Sequence, residues 1–220
     1  MKIAVTGTPN RIAELRKKLP SKHELIEVKN KNFKGADLVF DLNFDDFDNR
    51  IEDYAYLKGI PVVVCALKRQ LEQEIAHYAS VVECHLIGMN ALPTFIDREL
   101  TEVCCCREED KELFNRVATE LEWKPEWVKS RVGMVTPRII FMIINEAFYT
   151  LQEGTATKED IDTGMKLGTA YPFGPFEWCE KVGVKNVYEV LSALRADTGD
   201  ERYKVCPELK TAYYRTSSSM

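Results

Sequence analysis

The first half of the chain alternates between short apolar runs and segments whose apolar residues have helical spacing. Continuous apolar runs are typical of strands buried on both faces. The runs that predict strands are Lys2–Thr6, Glu24–Val28, Ala36–Phe40, Ile60–Ala66, Val81–Leu86 and Leu100–Cys105. The segments that predict helices are Pro9–Leu19, Phe47–Leu57, Leu71–Ala79 and Glu108–Glu122. This order indicates a largely parallel sheet with helices on both faces, an α/β fold.

The second half of the chain predicts helices only. After a short stretch at Trp127–Val132 no further strand pattern occurs. The segment Arg138–Glu153 is apolar on nearly all sides, so we expect it at the centre of a helical unit or in an interface. We therefore predict an α/β unit over residues 1–130 and a helical unit over residues 131–220.

Local signals mark where the later helices begin and end. Thr157 and Asp160 form a pattern close to a capping box, with aspartate at the position that usually holds glutamate. Pro175 at a helix start and Gly183 after its end follow the expected asymmetry of these two residues. The next helix is predicted over Val187–Ala196.

Composition and charge narrow the class of protein. The 220 residues are 45% hydrophobic and 30% charged, as in ordinary globular proteins, and the net charge of −5 gives no reason to expect nucleic acid. The apolar run Ile139–Ile144 is far shorter than the roughly 20 residues that span a bilayer. The chain opens directly into a predicted strand, without the pattern of a signal peptide. We expect no membrane segment.

The cysteines predict a reducing compartment, the cytoplasm. Their number is odd, seven, and Cys104–Cys106 are consecutive, which is unlike a disulfide framework. No pair has the spacing of metal ligands, so we expect no metal site. We interpret the cysteines as small hydrophobic side chains.

The strongest motif lies in the second half of the chain. The residues Gly133-Met-Val-Thr-Pro-Arg-Ile-Ile-Phe-Met-Ile-Ile-Asn-Glu-Ala147 are followed by Thr157-Lys-Glu-Asp160 and by Tyr171-Pro-Phe-Gly-Pro-Phe-Glu-Trp178. Over residues 130–214 this resembles the C-terminal helical domain of 3-hydroxyacyl-CoA dehydrogenases. Upstream, Ala36-Asp-Leu-Val-Phe40 and Met89-Asn-Ala-Leu-Pro93 resemble the same family more weakly.

The resemblance implies a fold and a reaction. The fold is a shortened Rossmann-like domain, which binds the dinucleotide NAD, followed by a helical domain that forms a homodimer. The reaction is the oxidation of a 3-hydroxyacyl-CoA to the 3-ketoacyl-CoA, with hydride passed to NAD. The N-terminal part is about 60 residues shorter than the family's usual one, on a fold of known size range.

The first turn departs from the glycine-rich pattern that a dinucleotide fold needs. That pattern uses glycines for the turn, for the approach of the pyrophosphate and for helix packing. Here only Gly7 remains, followed by Thr8, while Pro9 and Ile12 occupy the other glycine positions. Two interpretations stay open. Gly7 and Thr8 bind the cofactor, or the segment is an ordinary turn from strand to helix.

The catalytic pair that the resemblance implies is a histidine held by a glutamate. Alignment through Asn90 puts the histidine position at Ile87, which cannot carry a proton. His85 lies two residues earlier on the same predicted strand face and is the alternative base, unless it is an ordinary strand histidine. The glutamate corresponds to Glu102.

The candidate substrate-binding residues are Asn90 and Arg138, by the same resemblance. The family's asparagine before Arg138 is Pro137 here, and Ala66–Gln70 holds no serine where the family has one. These joint departures predict a member of the resembled dehydrogenase family, nominally NAD-dependent, that kept the dimer and the acyl-CoA groove and lost or replaced the redox step. Two alternatives remain: a module that binds acyl-CoA or a partner without catalysis, and a related dehydrogenase with His85 as base.

Overall fold

The computed structural model describes residues 1–30, 32–47, 50–54, 56–78 and 82–217. The chain divides into two compact units, Met1–Met134 and Val135–Met220. The sequence placed this division between Arg131 and Arg138.

The first unit is an α/β unit built on one seven-stranded sheet. Its strands are β1 (Lys2–Thr6), β2 (Glu24–Glu27), β3 (Leu38–Asp41), β4 (Pro61–Cys65), β5 (His85–Met89), β6 (Leu100–Cys104) and β7 (Lys124–Trp127). Its α-helices are α1 (Pro9–Lys18), α2 (Leu71–Tyr78) and α3 (Glu108–Leu121). The strand order is β2-β1-β3-β4-β5-β6-β7. Strands β1 to β5 run parallel, and β6 is antiparallel to β5.

The two central strands are apolar because both of their faces are covered. Every residue of β3 and of β4 is buried. This confirms the predicted α/β class with a mostly parallel sheet.

Two predicted elements of the first unit differ from the structure. The helix predicted over Phe47–Leu57 is replaced by two short 3-10 helices, Phe44–Asp46 and Arg50–Tyr54. Tight turns suit this segment because Phe44, Ile51 and Tyr54 are all buried against the sheet unit. The strand predicted over Val81–Leu86 is found at His85–Met89, and Val81 itself lies outside the described residues.

Strand β7 was missed because it contains a proline. Its sequence is Lys124-Pro-Glu-Trp127, and proline has no N–H for a sheet ladder. The strand is tolerated at this place because β7 is the last strand in the sheet, where one side has no neighbour to pair with.

The second unit contains five α-helices among the described residues. They are α4 (Thr136–Gln152), α5 (Lys158–Thr169), α6 (Pro175–Val182), α7 (Val184–Thr198) and α8 (Pro207–Ser217), with a 3-10 helix at Glu201–Tyr203. The capping box of Thr157 and Asp160 is present with both of its hydrogen bonds. Pro175 and Gly183 stand at the two ends of α6 as predicted. None of the helices in the described residues is long and apolar enough to cross a membrane.

Helix α4 has one buried apolar face and one exposed apolar position. Ile140, Phe141, Ile144 and Phe148 are buried, whereas Ile139 is 56% exposed. A helix that is apolar beyond its buried face offers a surface for a partner.

Candidate functional site

The topology defines one crevice where a ligand is expected. Strand β2 lies on one side of β1 in the sheet, and β3 lies on the other side. The connections that leave β1 and β3 therefore run in opposite directions, and a crevice opens between these two strands. In open α/β sheets ligands bind outside the carboxyl ends of the strands at such a switch point. The crevice between β1 and β3 is bordered by Gly7 and Thr8 after β1 and by Leu42 and Asn43 after β3.

Gly7 is required here by the packing of the β3 loop. A Cβ at this position would lie 2.9 Å from Cβ of Leu42, closer than side chains approach one another. Leu42 is itself only 1% exposed, so it has little freedom to move away. The space that opens beside a glycine in a phosphate-binding turn is therefore filled by a leucine of the same protein.

The guanidinium of Arg11 bridges the two sides of the crevice. Arg11 lies in the first turn of α1 and is 3% exposed. One of its NH groups donates to the Leu42 carbonyl oxygen and, at 3.2 Å, to Oδ1 of Asn43. The backbone N–H of Thr8 donates to the same Asn43 oxygen at 3.3 Å. The hydrogen-bond donors of Thr8 and Arg11, which follow β1, are thus directed at the loop that follows β3.

The positive charges at this edge share a carboxylate within the protein. Arg11 lies 3.6 Å from Oδ2 of Asp46, and Nζ of Lys68 donates to Oδ1 of the same carboxylate at 2.7 Å. The side chains of Arg11, Asp46 and Lys68 are at most 16% exposed. We call these three residues the Arg11 network.

Asp45 is buried beside the Arg11 network. Its Oδ2 accepts hydrogen bonds from the backbone N–H groups of Leu67, at 2.5 Å, and Lys68, at 3.1 Å. Its Oδ1 is buried without a hydrogen-bond partner in the described part of the chain. Burial raises the pKa of the Asp45 carboxyl to about 6, because desolvation outweighs the stabilising N–H groups and the charge of Lys68.

These residues do not fit NAD bound in the manner of a Rossmann fold. Pro9 has no N–H to offer a phosphate, the Thr8 N–H is bound to Asn43, and the Cα of Gly7 is covered by Leu42. A pyrophosphate at the crevice would also meet the carboxylate of Asp46. Gly7 and Thr8 are the predicted cofactor-binding residues. In this structure they hold the turn between β1 and α1 against the loop that follows β3.

His85 and Glu102, the predicted catalytic residues, are not brought together. The register of β5 and β6 pairs Gly88 with Cys104 and Met89 with Val103, and the Asn90 N–H donates to the Glu102 carbonyl at 3.1 Å. Glu102 is thus opposite Asn90, and His85 lies five residues before Asn90 on the same strand. His85 and Glu102 are therefore separated by about 16 Å along the strand direction. Glu102 cannot orient His85.

A histidine at position 87 would not meet Glu102 either. Directly opposed residues of antiparallel strands share a face, so Glu102 lies on the face of Gly88, and Ile87 points to the other face. Burial lowers the pKa of the Arg98 guanidinium, and the charge of Glu102 opposes that shift. In this register Glu102 faces neither His85 nor a side chain at position 87.

His85 is paired with Asp110 at the opposite end of the sheet from the crevice. Nδ1 of His85 lies 2.8 Å from Oδ1 of Asp110, a carboxylate with no exposed surface. Arg107 binds both oxygens of Asp110 at 2.9 Å and donates to the Cys84 carbonyl at 2.7 Å. The cluster joins the start of β5 to the first turn of α3.

The same cluster contains the one group of possible metal ligands found among the described residues. Ligand atoms of His85, Glu109 and Asp110 lie within 4.8 Å of one another. Arg107 binds Glu109 at 3.3 Å as well as Asp110, so a positive charge already occupies the space between these carboxylates. Arg107 thus pairs with both carboxylates in the place that a metal ion would take.

The predicted substrate-binding residues lie in different units. Asn90 is 3% exposed at the end of β5, and its Oδ1 is buried without a partner in the described residues. Arg138, in the helical unit, donates to the Tyr203 hydroxyl at 3.0 Å, and its guanidinium lies 5.7 Å from the centre of the Tyr203 ring. Arg138 is therefore held against the 3-10 helix of its own unit.

The residues that sequence reasoning missed are polar side chains buried by long-range contacts. Arg11, Asp45, Asp46 and Asp110 each belong to a charged or polar segment that looks like an exposed surface. A signal was available in one place. Asn43, Asp45 and Asp46 follow directly after a buried strand, at the edge of the sheet where functional side chains gather.

Comparison with known proteins identifies the helical unit. Residues 133–216 match the family model described as 3-hydroxyacyl-CoA dehydrogenase, C-terminal domain. A 78-residue stretch is 44% identical to 3-hydroxyadipyl-CoA dehydrogenase of Escherichia coli, covering 36% of this chain and 16% of that protein. A stretch of 127 residues is 32% identical to 3-hydroxybutyryl-CoA dehydrogenase of Clostridioides difficile, covering 56% of this chain and 45% of that protein. The chain thus matches less than half the length of either relative.

Solved structures extend the similarity to the fold of the whole chain. The (S)-3-hydroxybutyryl-CoA dehydrogenase of Ralstonia eutropha superposes with a TM-score of 0.74 at 20% identity, covering 98% of this chain and 94% of that one. At this identity the likeness concerns the fold alone. The order of a mostly parallel sheet followed by a helical unit is common to both proteins.

Proposed function

We propose that this chain, which resembles the 3-hydroxyacyl-CoA dehydrogenase family and carries that family's C-terminal domain at residues 133–216, is an acyl-CoA-binding protein that no longer transfers hydride to NAD. In this proposal the helical unit keeps the family's parts in substrate binding and dimer formation. The α/β unit keeps the family's fold with its cofactor crevice closed.

The names of the relatives support an acyl-CoA ligand. The relatives compared above act on hydroxyadipyl-CoA or hydroxybutyryl-CoA, as their names state. What these substrates share is a short acyl chain in thioester linkage to coenzyme A. The similarity is highest in the helical domain, so we assign the acyl-CoA class to this chain on the strength of that domain.

The Arg11 network is the observation that carries the loss of hydride transfer. An arginine buried across the β1–β3 crevice, bonded to Leu42 and Asn43 and neutralised by Asp46, occupies the edge where the family's dinucleotide would lie. Displacing it would break its buried hydrogen bonds to Leu42 and Asn43, each worth about 1.5 to 3 kcal/mol for a charged donor, although Lys68 would still pair with Asp46. NAD binding would have to exceed that cost.

The absence of a proton carrier points the same way. By the resemblance, Ile87 corresponds to the family's histidine, and His85 is directed at Asp110 at the other end of β5 from Asn90. A positioned acid–base group typically contributes a factor of about 100 to 10,000 in rate. Without it, and without an ordered cofactor, we expect no useful turnover.

A homodimer through the helical unit belongs to the same proposal. Ile139 is 56% exposed on α4, and the neighbouring Ile143 on the same helix is half-buried. A second copy that covers this apolar stripe would remove it from water. The seven cysteines are all free thiols, which supports a reducing compartment such as the cytoplasm.

The second candidate is the dehydrogenase reaction itself, favoured by the 44% identity to an enzyme named for it. One assay separates the two functions. NADH absorbance is followed at saturating acetoacetyl-CoA, and the melting temperature is measured with acetoacetyl-CoA or NAD added separately. We expect acetoacetyl-CoA to raise the melting temperature, NAD to leave it unchanged and NADH to persist, since a ligand stabilises the state that binds it. Steady NADH consumption, dependent on the protein, would establish the dehydrogenase instead.

A further inference from the structure

The helical unit contains an open cavity that has no part in the β1–β3 crevice, and a coenzyme A ligand there would rest on the proposed function. It lies between α7 and the segment that leads from the 3-10 helix into α8, and its volume is about 700 Å³. Its polar lining consists of Tyr188, Ser192, Arg195, Lys204 and Lys210. Ligand sites in proteins have volumes of about 300 to 1,000 Å³. We call this feature the α7–α8 cavity.

The charge of the α7–α8 cavity is opposite to that of the unit around it. Residues 135–220 contain ten lysines and arginines against twelve aspartates and glutamates. The cavity is lined by Arg195, Lys204 and Lys210 and by no acidic side chain. Arg195 binds Glu201 at 2.6 Å, but Lys204 and Lys210 form no ion pair with any residue that the structure describes. Two lysines without a carboxylate partner, beside an arginine that has one, favour an anionic ligand.

The backbone that carries Lys204 is held in place by a buried side chain. Asn145 on α4 is 3% exposed. Its Nδ2 donates to the Lys204 carbonyl at 3.0 Å, and its Oδ1 accepts from the Cys206 N–H at 2.8 Å. This double contact fixes the segment that supplies one cation and leads into α8. A site with a fixed backbone loses less entropy when it binds a ligand.

One wall of the cavity is aromatic and rigid. The ring of Tyr188 stacks on that of Tyr213 with centres 4.1 Å apart and planes 16° apart. This stack joins α7 to α8, the two helices that carry Arg195 and Lys210. The positive end of the α8 dipole at Pro207 adds to the attraction for an anion.

We propose that the α7–α8 cavity binds a phosphate-bearing small molecule through Arg195, Lys204 and Lys210. The paired cations match the several negative charges of a pyrophosphate group, which both free pyrophosphate and the coenzyme A nucleotide carry. The site uses residues of the helical unit alone. Its test therefore does not depend on whether the chain has lost NAD chemistry.

The test is calorimetric titration of the full chain with inorganic pyrophosphate and, separately, with coenzyme A at low salt. The variant is the double substitution Lys204→Gln and Lys210→Gln. The matched control is Lys166→Gln with Lys181→Gln, which removes the same charge from α5 and α6, where Lys166 pairs with Glu177 and Lys181 lies over Phe173.

We expect the cavity variant to lose about tenfold or more in affinity for either probe, and the control to keep the wild-type value. Added NaCl should weaken wild-type binding, because exposed charges are screened. Tighter binding of coenzyme A than of pyrophosphate assigns the site to a nucleotide, and equal binding assigns it to the phosphate group alone. Absence of saturable binding for both probes, or equal losses in the variant and its control, would overturn the proposal.

Discussion

Nδ1 of His85 lies 2.8 Å from the buried carboxylate of Asp110. His85 is the first residue of β5, so this pair lies at the amino-terminal ends of the parallel strands, whereas the β1–β3 crevice lies at their carboxyl ends. Arg107 closes the group by binding both Asp110 oxygens. The histidine that the sequence offers as a catalytic base is thus part of a structural cluster joining β5 to α3.

This cluster predicts unequal effects for two adjacent acids. Replacing Asp110 with alanine leaves the half-buried Arg107 without its main partner. We expect the free energy of unfolding to fall by about 3 kcal/mol. The control is Glu109→Ala, which removes a 63% exposed carboxylate from the same arginine and should cost less than about 1 kcal/mol. Urea denaturation of both variants measures the difference. Equal losses would show that Asp110 has no special structural role.

The close approach of Gly7 to Leu42 predicts that even a methyl group is not tolerated in the first turn. We expect Gly7→Ala to destabilise the protein by about 1 to 3 kcal/mol, because its Cβ would lie 2.9 Å from a buried side chain. The control, Gly164→Ala on α5, has open space at its Cβ and should gain about 0.5 to 1 kcal/mol. Chemical denaturation checks both values. A neutral Gly7→Ala variant would mean that the crevice has room beside the turn.

Asp45 predicts a dependence of stability on pH. Its folded pKa, about 6, is raised above the ordinary value of 3.8, so the folded state holds the proton more tightly. The stabilising effect of this proton is complete below about pH 4 and is lost as the pH rises through about 6.

The variant Asp45→Asn isolates that contribution. It keeps an oxygen for the N–H groups of Leu67 and Lys68 and removes the ionisation. Relative to wild type, its free energy of unfolding should rise by up to about 3 kcal/mol between pH 4 and pH 7. Urea titrations at a series of pH values measure the difference. A difference that stays constant over this range would contradict the raised pKa.

The exposed apolar stripe of α4 predicts a dimer that charge disrupts. The double substitution Ile139→Asp and Ile143→Asp would place two carboxylates in the proposed interface, at a cost of several kcal/mol. We expect this variant to sediment as a monomer at micromolar concentration, where wild type sediments as a dimer. Ile26→Asp, an exposed apolar position in the α/β unit, is the control and should remain dimeric. If the wild-type protein sediments as a monomer under these conditions, the proposed dimer is contradicted.

Elements with local signals could be predicted from the sequence. The Thr157 capping box, the proline and glycine at the ends of α6, and the buried runs of β3 and β4 depend on residues a few positions apart. Strand β7 and the segment after β3 could not be predicted in this way, because an edge position in the sheet and burial of aromatic residues override their local patterns.

The candidate site could be predicted only in part. Substitutions at Pro9 and Ile87 were visible in the sequence and pointed to a changed site. What replaced the cofactor was not visible, because Arg11 meets Leu42 and Asp46 across about thirty residues of chain. The distance of His85 from Glu102 likewise depends on the register of two strands, which the sequence does not specify.

The most direct measurement is a calorimetric titration of the wild-type chain with NAD. The account predicts no saturable binding tighter than about 1 mM, which corresponds to about −4 kcal/mol, because the Arg11 network and Leu42 occupy the crevice. A micromolar dissociation constant would contradict it. Such a result would mean that Arg11 and Asp46 leave the crevice when the dinucleotide enters, and that the chain retains the cofactor of the family it resembles.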